Sequence, residues 1–162
     1  MNKNTIPENF TLSLVLADAI PVIFFSLNMI ILGSRFESPL FIFGSILCFL
    51  GGLGKVIWKL IVVLHQKNIW ILFVQFRFLM PAGLVFILMS LILGKSRLSI
   101  AAFIANFTSM PSFFFFSLGL LGMLMMFVFA IKMDSSDAKS NWIEQLTNGL
   151  SQISIFIGIL LL

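Results

Sequence analysis

The side chains best placed to do chemistry in this sequence stand inside long apolar runs. They are Asp18, Lys55, Lys59, Arg77, Glu144, Asn148 and Gln152. A lysine at membrane depth costs about 3 kcal/mol on insertion scales, so it needs a counter-charge or a wet cavity. Lys55 and Lys59 share the run from Phe49 to Lys59 with Gly51, Gly52 and Gly54. Asp18 can pair with Lys55 and fix two helices, or the two can join Arg77 around a guest. The planar guanidinium of Arg77 suits a carboxylate or a phosphate. Lys59 lies nearer its helix end, where its stem can carry the ammonium out to the headgroups.

Glu144 follows Asn141 by three residues, which reads as an N-cap with a capping glutamate. Asn148 and Gln152 continue a stripe with Ser151 and Ser154, a pattern suited to hydrogen bonds between helices. Lys55, Lys59 and Arg77 against Asp18 and Glu144 give 3 − 2 = +1. A purely structural set would balance, so the excess points to an anionic guest such as a lipid phosphate, an organic acid or an inorganic anion.

The elements that position these residues are membrane helices. The chain has 162 residues, 60% hydrophobic and 10% charged, with mean hydropathy +1.13. Soluble domains carry about 25% charged residues, so the class is an all-α integral membrane protein. The predicted architecture is one transmembrane domain, a bundle of five helices over about residues 11–33, 39–64, 69–94, 111–133 and 141–162. A short interfacial or re-entrant segment at about 98–110 is expected between helices three and four, since it is too short to span and breaks before Pro111. Asp18 interrupts any signal-peptide core, so the first helix reads as retained. Pro21 removes a donor to the carbonyl of Ala17 beside the acid. Gly33 to Pro39 reads as a polar turn.

Depth brings the polar residues together. Asp18 lies about seven residues into helix one, roughly 10 Å at 1.5 Å per residue. Lys55 and Lys59 lie about nine and five residues from the end of helix two that returns to that side, and Arg77 about eight residues into helix three. Helix five adds Glu144, Asn148 and Gln152 from the same side. A face of Gly44, Cys48, Gly51 and Gly52 on helix two can admit another helix closely, of this chain, of a second copy or of a membrane partner. Lys3, Lys67, Lys132 and Lys139 on the N-terminal side outnumber Arg35, Lys95 and Arg97 opposite, which places the N-terminus in the cytoplasm of a multi-pass cell-membrane protein.

Other chemistries find no motif. Gly51-Gly52-Leu53-Gly54-Lys55 lacks phosphate-loop spacing and the following Ser or Thr. One cysteine and one histidine give no disulfide and no multi-cysteine or bis-histidine site, so no metal or cofactor is expected. The charge of +4 does not argue for nucleic acid. The leading expectation is binding or transport of a small anionic or zwitterionic solute or lipid headgroup in a cytoplasm-facing polar cavity. The alternatives are a structural or accessory subunit of a membrane complex, and a membrane-embedded enzyme with Asp18 or Glu144 as acid or base.

Overall fold

The computed structural model describes residues 10–93, 105, 108–133 and 137–161, and among them all regular structure is helical. Helix α1 spans Leu12–Phe36. Its N-cap is Thr11, whose hydroxyl accepts the Leu14 N–H at 3.3 Å. It runs through Gly33, where a turn is expected from sequence, and stops at Glu37. Glu37 takes the left-handed conformation at φ 47°, and its N–H donates to the Gly33 carbonyl at 3.1 Å. The reversal is thus made by an acid two residues before a proline, and Gly33 stays helical against Phe41.

Helix α2 spans Pro39–His65, with Ser38 as N-cap and Pro39 in the first turn, where a missing N–H costs nothing. Gln66 ends it in the left-handed conformation. The third expected helix is two segments, α3 (Trp70–Val74) and α4 (Phe76–Leu93). Gln75 separates them while keeping helical dihedrals. Helix α5 spans Ser112–Lys132. Helix α6 spans Ala138–Leu160 and begins earlier than the sequence pattern suggests. The expected segment at 98–110 falls mostly outside the described residues, which include only 105 and 108–110 of it.

The helices form a row, in which α4 packs on α2, α2 on α1, α1 on α6 and α6 on α5. Small residues set the closest crossings. A Cβ on Gly44 would meet the Gly83 carbonyl oxygen at 2.6 Å, and one on Gly83 would meet Cys48 Sγ at 2.5 Å. The backbones of α2 and α4 therefore touch there, and neither position admits a side chain. Gly51 faces Leu79 and Met80 of α4, and Gly52 faces Val22 of α1. The glycine face of α2 is filled from within the chain. At the other end of the row, Gly122 makes room for Ser151 and Gly158 for Phe116.

The partition of side chains is inverted relative to a soluble protein. Among the described residues the buried side chains are twelve polar or charged against ten apolar, while leucines, isoleucines and phenylalanines cover the outside. Water would drive the opposite arrangement, so the exterior is built for lipid. Among the described residues, four helical stretches are long and apolar enough to cross a membrane: Leu12–Arg35, Pro39–His65, Trp70–Leu93 and Ser112–Phe129. Helix α6 is not among them, because Asn141, Glu144, Gln145, Asn148 and Gln152 lower its hydropathy. Most of these polar residues are buried, and beyond the exposed Lys139 in its first turn α6 turns Ile143, Leu146, Leu150 and Leu160 outward.

Candidate functional site

Three charged residues on three helices lie at one depth. Asp18 is six residues from the start of α1 (18 − 12), Lys59 six from the end of α2 (65 − 59), and Glu144 six from the start of α6 (144 − 138). Six residues of α-helix rise about 9 Å. Asp18 is carried on the buried face of α1 with Leu14, Val15 and Ala17. Lys59 is flanked on α2 by the buried Trp58 and Val62.

The ammonium of Lys59 lies 3.2 Å from Asp18 Oδ1, and both side chains are almost fully buried, at 1% and 5% exposed. Sequence reasoning keeps both lysines as candidate site residues, weighing an Asp18–Lys55 pair and allowing Lys59 either to point inward or to snorkel to the headgroups. In the structure it is Lys59 that meets Asp18. Lys59 falls on the helix face toward α1, whereas Lys55, one turn earlier, is half-buried and sits 5.1 Å above the ring of Phe76. Lys59 cannot reach headgroups because aromatic residues close over it. Its ammonium lies 5.8 Å from the centre of the Phe10 ring. Phe10 meets Trp58 edge-on, Trp58 packs on Phe73, and Trp70 on Phe73. Trp58 Nε1 donates to Asn68 Oδ1 at 3.0 Å, which ties this cluster to the α2–α3 connection.

The pair retains spare capacity. Asp18 Oδ2 and Lys59 Nζ are buried without a hydrogen-bond partner among the described residues. An ammonium has three donors and a carboxylate about four acceptor sites, so one ionic contact leaves most of both unused. Glu144 is also buried and acts on the same ammonium electrostatically, as does Lys55. Arg77 stands apart. It is exposed, lies 5.4 Å over the ring of Phe73, and makes no ion pair among the described residues. Among the described residues the interior charge is therefore Lys55 and Lys59 against Asp18 and Glu144, or 2 − 2 = 0. The positive excess counted from sequence disappears because Arg77 faces outward.

The remaining polar residues hold α6 in place. Asn28 Nδ2 donates to the Gln152 side-chain and backbone oxygens, both at 3.3 Å, deep between α1 and α6. Ser151 and Ser154 bond back to carbonyls of their own helix. Asn148 is half-buried beside them. Glu144 is no capping residue. The N-cap of α6 is Asp137, whose carboxylate accepts the Ser140 N–H at 2.8 Å, and Asn141 donates to the Asp137 carbonyl at 2.9 Å. That bond pulls the Asp137 carboxyl below its ordinary value, the Ser140 backbone N–H being the main cause and its hydroxyl the next.

Asn28 and Gln145 are buried polar residues that the sequence reading leaves out, and Asn141, read there as an N-cap, is buried inside α6. Asn28 carries a usable signal: Leu14, Asp18, Pro21 and Asn28 follow three- and four-residue steps with Phe25, which puts the amide on the face of the acid. Gln145 carries none beyond its polarity in a polar helix.

A second concavity lies in the other half of the α1–α2 pair. It has a volume of about 460 Å³ and is lined by Ser26, Met29, Ile30, Gly33, Ser34, Ile42, Ser45, Ile46 and Phe49. It contains no charged side chain and is distinct from the Asp18–Lys59 pair. Among the described residues no group of three histidine, cysteine, aspartate or glutamate side chains could hold a metal ion. Comparison with known proteins returns no match, whether to protein-family models, to curated proteins or to solved structures.

Proposed function

We propose that this chain is a five-span protein of the cell membrane, with its N-terminus in the cytoplasm, that binds a small zwitterionic solute or headgroup at Asp18, Lys59 and Glu144 and passes it into or across the bilayer. The observation that carries the reading is the buried Asp18–Lys59 pair, whose second carboxylate oxygen and remaining ammonium donors find no further hydrogen-bond partner among the described residues. A buried pair earns its desolvation cost only when its remaining lone pairs and protons are satisfied. A zwitterion supplies both missing partners: an anionic oxygen for Lys59 and a cationic N–H donor for Asp18 or Glu144. The balanced interior charge favours a neutral zwitterion over a net anion. Helix α6 serves as the fifth span, because its polar side chains turn inward and its outer face is leucine and isoleucine.

The test is binding to purified protein, read as thermal stabilisation against a panel of amino acids, betaines, phosphocholine and simple anions. The reading expects a zwitterion to stabilise the wild type and not a variant carrying both Asp18→Asn and Lys59→Met. Stabilisation by anions alone, or by nothing in the panel, refutes the zwitterion assignment.

One observation favours a second reading, an accessory subunit of a membrane complex. Helices α4 and α5 end the row, and only Gly83 and Ser90 are buried along α4. Their outer faces are wide enough to receive another protein. Co-purification of a stoichiometric partner bound to α4 or α5 would support it.

A further inference from the structure

We infer that Arg77, with Lys55 beside it, binds the phosphate of a phospholipid on the seam between α2 and the α3–α4 segments. The interior charges balance without Arg77, so its charge is the one left over. No aspartate or glutamate stands between Glu37 and Asp134, so α2, α3 and α4 supply no counter-charge of their own. Among the described residues neither Lys55 nor Arg77 makes an ion pair or a side-chain hydrogen bond. A cation without an anion is rare in a membrane helix, because nothing offsets its desolvation.

The two cations are held side by side. The guanidinium of Arg77 lies 5.4 Å over the ring of Phe73, and the ammonium of Lys55 lies 5.1 Å over that of Phe76. Gln75 keeps helical dihedrals, so the helical steps carry across the α3–α4 break, and Phe73, Phe76 and Arg77 share one face. The two rings are three residues apart (76 − 73), or about 4.5 Å of helix. Phe73 itself is packed against Trp58 and Trp70. On α2, Lys55 stands four residues after Gly51, which faces α4, and so is turned to the same seam. An aromatic face attracts a cation without supplying a hydrogen-bond acceptor. The N–H donors of both heads are therefore left for a ligand.

Depth selects the ligand. Arg77 lies seven residues after Trp70 (77 − 70), about 10 Å into the span, but its head reaches back to Phe73, only three residues after Trp70. A snorkelling stem carries an arginine head toward the interface, and tryptophan belongs at that interface. Arg77 is exposed there, as is the neighbouring Phe78, so the head meets lipid. Phospholipid phosphates stand at that level around every copy of the chain, whereas a carboxylate would have to be brought by another protein. A phosphate accepts a guanidinium bidentately and meets lysine as a point charge, and its single negative charge matches the one left over. The site uses none of Asp18, Lys59 and Glu144, and stands whether or not those residues bind a zwitterion.

The test is native mass spectrometry of the full chain released from nanodiscs that hold phosphatidylglycerol and diacylglycerol in equal parts with identical acyl chains. Phosphatidylglycerol carries the phosphate and no ammonium, so it does not report on the zwitterion site. The expected result is one retained lipid, mainly phosphatidylglycerol. Arg77→Gln should narrow that preference by about tenfold, the worth of one charge-assisted bond. Arg77→Lys should keep part of it, and Lys55→Gln combined with Arg77→Gln should abolish it. Arg77 is exposed and makes no ion pair among the described residues, so its variants fold. A preference unchanged in Arg77→Gln, or a wild type that retains both lipids equally, overturns the proposal. So does displacement of the lipid by excess inorganic phosphate, which would make the ligand a soluble anion, or a stoichiometric second protein retained in place of any lipid. Glu8 and Asp134 lie outside the described residues. A preference raised about tenfold in Glu8→Gln or Asp134→Asn would identify that acid as the partner of Arg77 and overturn the proposal too.

Discussion

Separating Asp18 from Lys59 is the perturbation with the clearest expected magnitude. Asp18→Asn leaves the Lys59 ammonium 1% exposed, 5.8 Å from an aromatic ring and without its counter-charge. Lys59→Met leaves a carboxylate that is 3% exposed, against a backdrop that already holds Glu144. Removing one member of a buried pair costs about 3–5 kcal/mol, because the other charge stays behind in a poor solvent. The double variant removes both charges and keeps the volume, so it should cost less than either single change. The coupling energy, the double minus the sum of the singles, should then be about −3 kcal/mol or larger in magnitude, at the upper end for residues in contact. The assay is reversible unfolding of purified protein in mixed micelles, followed by the far-ultraviolet signal. Additive single effects, or singles costing less than about 1 kcal/mol as exposed pairs do, would refute the geometry of a closed pair. The same double variant carries the functional test, since a folded protein that no longer binds a zwitterion separates the guest from the scaffold.

Four further outcomes follow from the packing. Gly83→Ala drives a methyl into Cys48 Sγ and the Gly44 carbonyl, and should cost about 1–3 kcal/mol of overpacking. Gly149→Ala meets only Ile20 at 3.5 Å and Pro21 at 4.0 Å, so the helical preference for alanine should stabilise α6 by up to about 1 kcal/mol in the same unfolding assay. Gln152→Leu strips a partner from the fully buried Asn28 amide and should cost about 1–3 kcal/mol, recovered in part by adding Asn28→Leu. The Asp137 cap has a carboxyl below its usual 3.8, so its contribution is complete above that value and is lost as pH falls through the lower, folded value. Stability scans from neutral to strongly acidic pH should show a downward step in wild type that is absent in Asp137→Asn.

The legibility of the fold differs from element to element. Proline at the start of α2, Ser38 before it and Pro111 before α5 announce those helices locally, and their ends fall within a residue or so of the sequence pattern. The end of α1 is less legible, because the glycine that looks like a stop remains helical and Glu37 makes the reversal. Helix α6 begins early because Asp137 and Ser140 form a cap that outcompetes the Asn141–Glu144 pattern. The depth argument groups Asp18, Lys55, Lys59 and Glu144, and the structure pairs Asp18 with Lys59. Which of the two lysines meets the acid is not legible, since Lys55 and Lys59 are one turn apart and a sequence does not say which way the helix is rotated against its neighbours.

The sequence by itself determines that the chain is helical and built for lipid, and which residues are too polar to face lipid unaided. These follow from hydropathy, length and the cost of a charge in hydrocarbon, all properties of residues taken singly or along one helix. Only the tertiary structure decides which of those residues meet. The order of helices in the row puts α6 against α1 and so sets Asn28 on Gln152. The rotation of α2, fixed by the Gly44–Gly83 crossing on one face and Gly52–Val22 on another, turns Lys59 onto Asp18 and leaves Lys55 over Phe76. The same geometry places Arg77 outside and cancels the interior charge excess. Both the pair and the α2–α4 seam depend on contacts between helices distant in sequence, and close packing of small residues, which no single-helix pattern encodes, is what selects them.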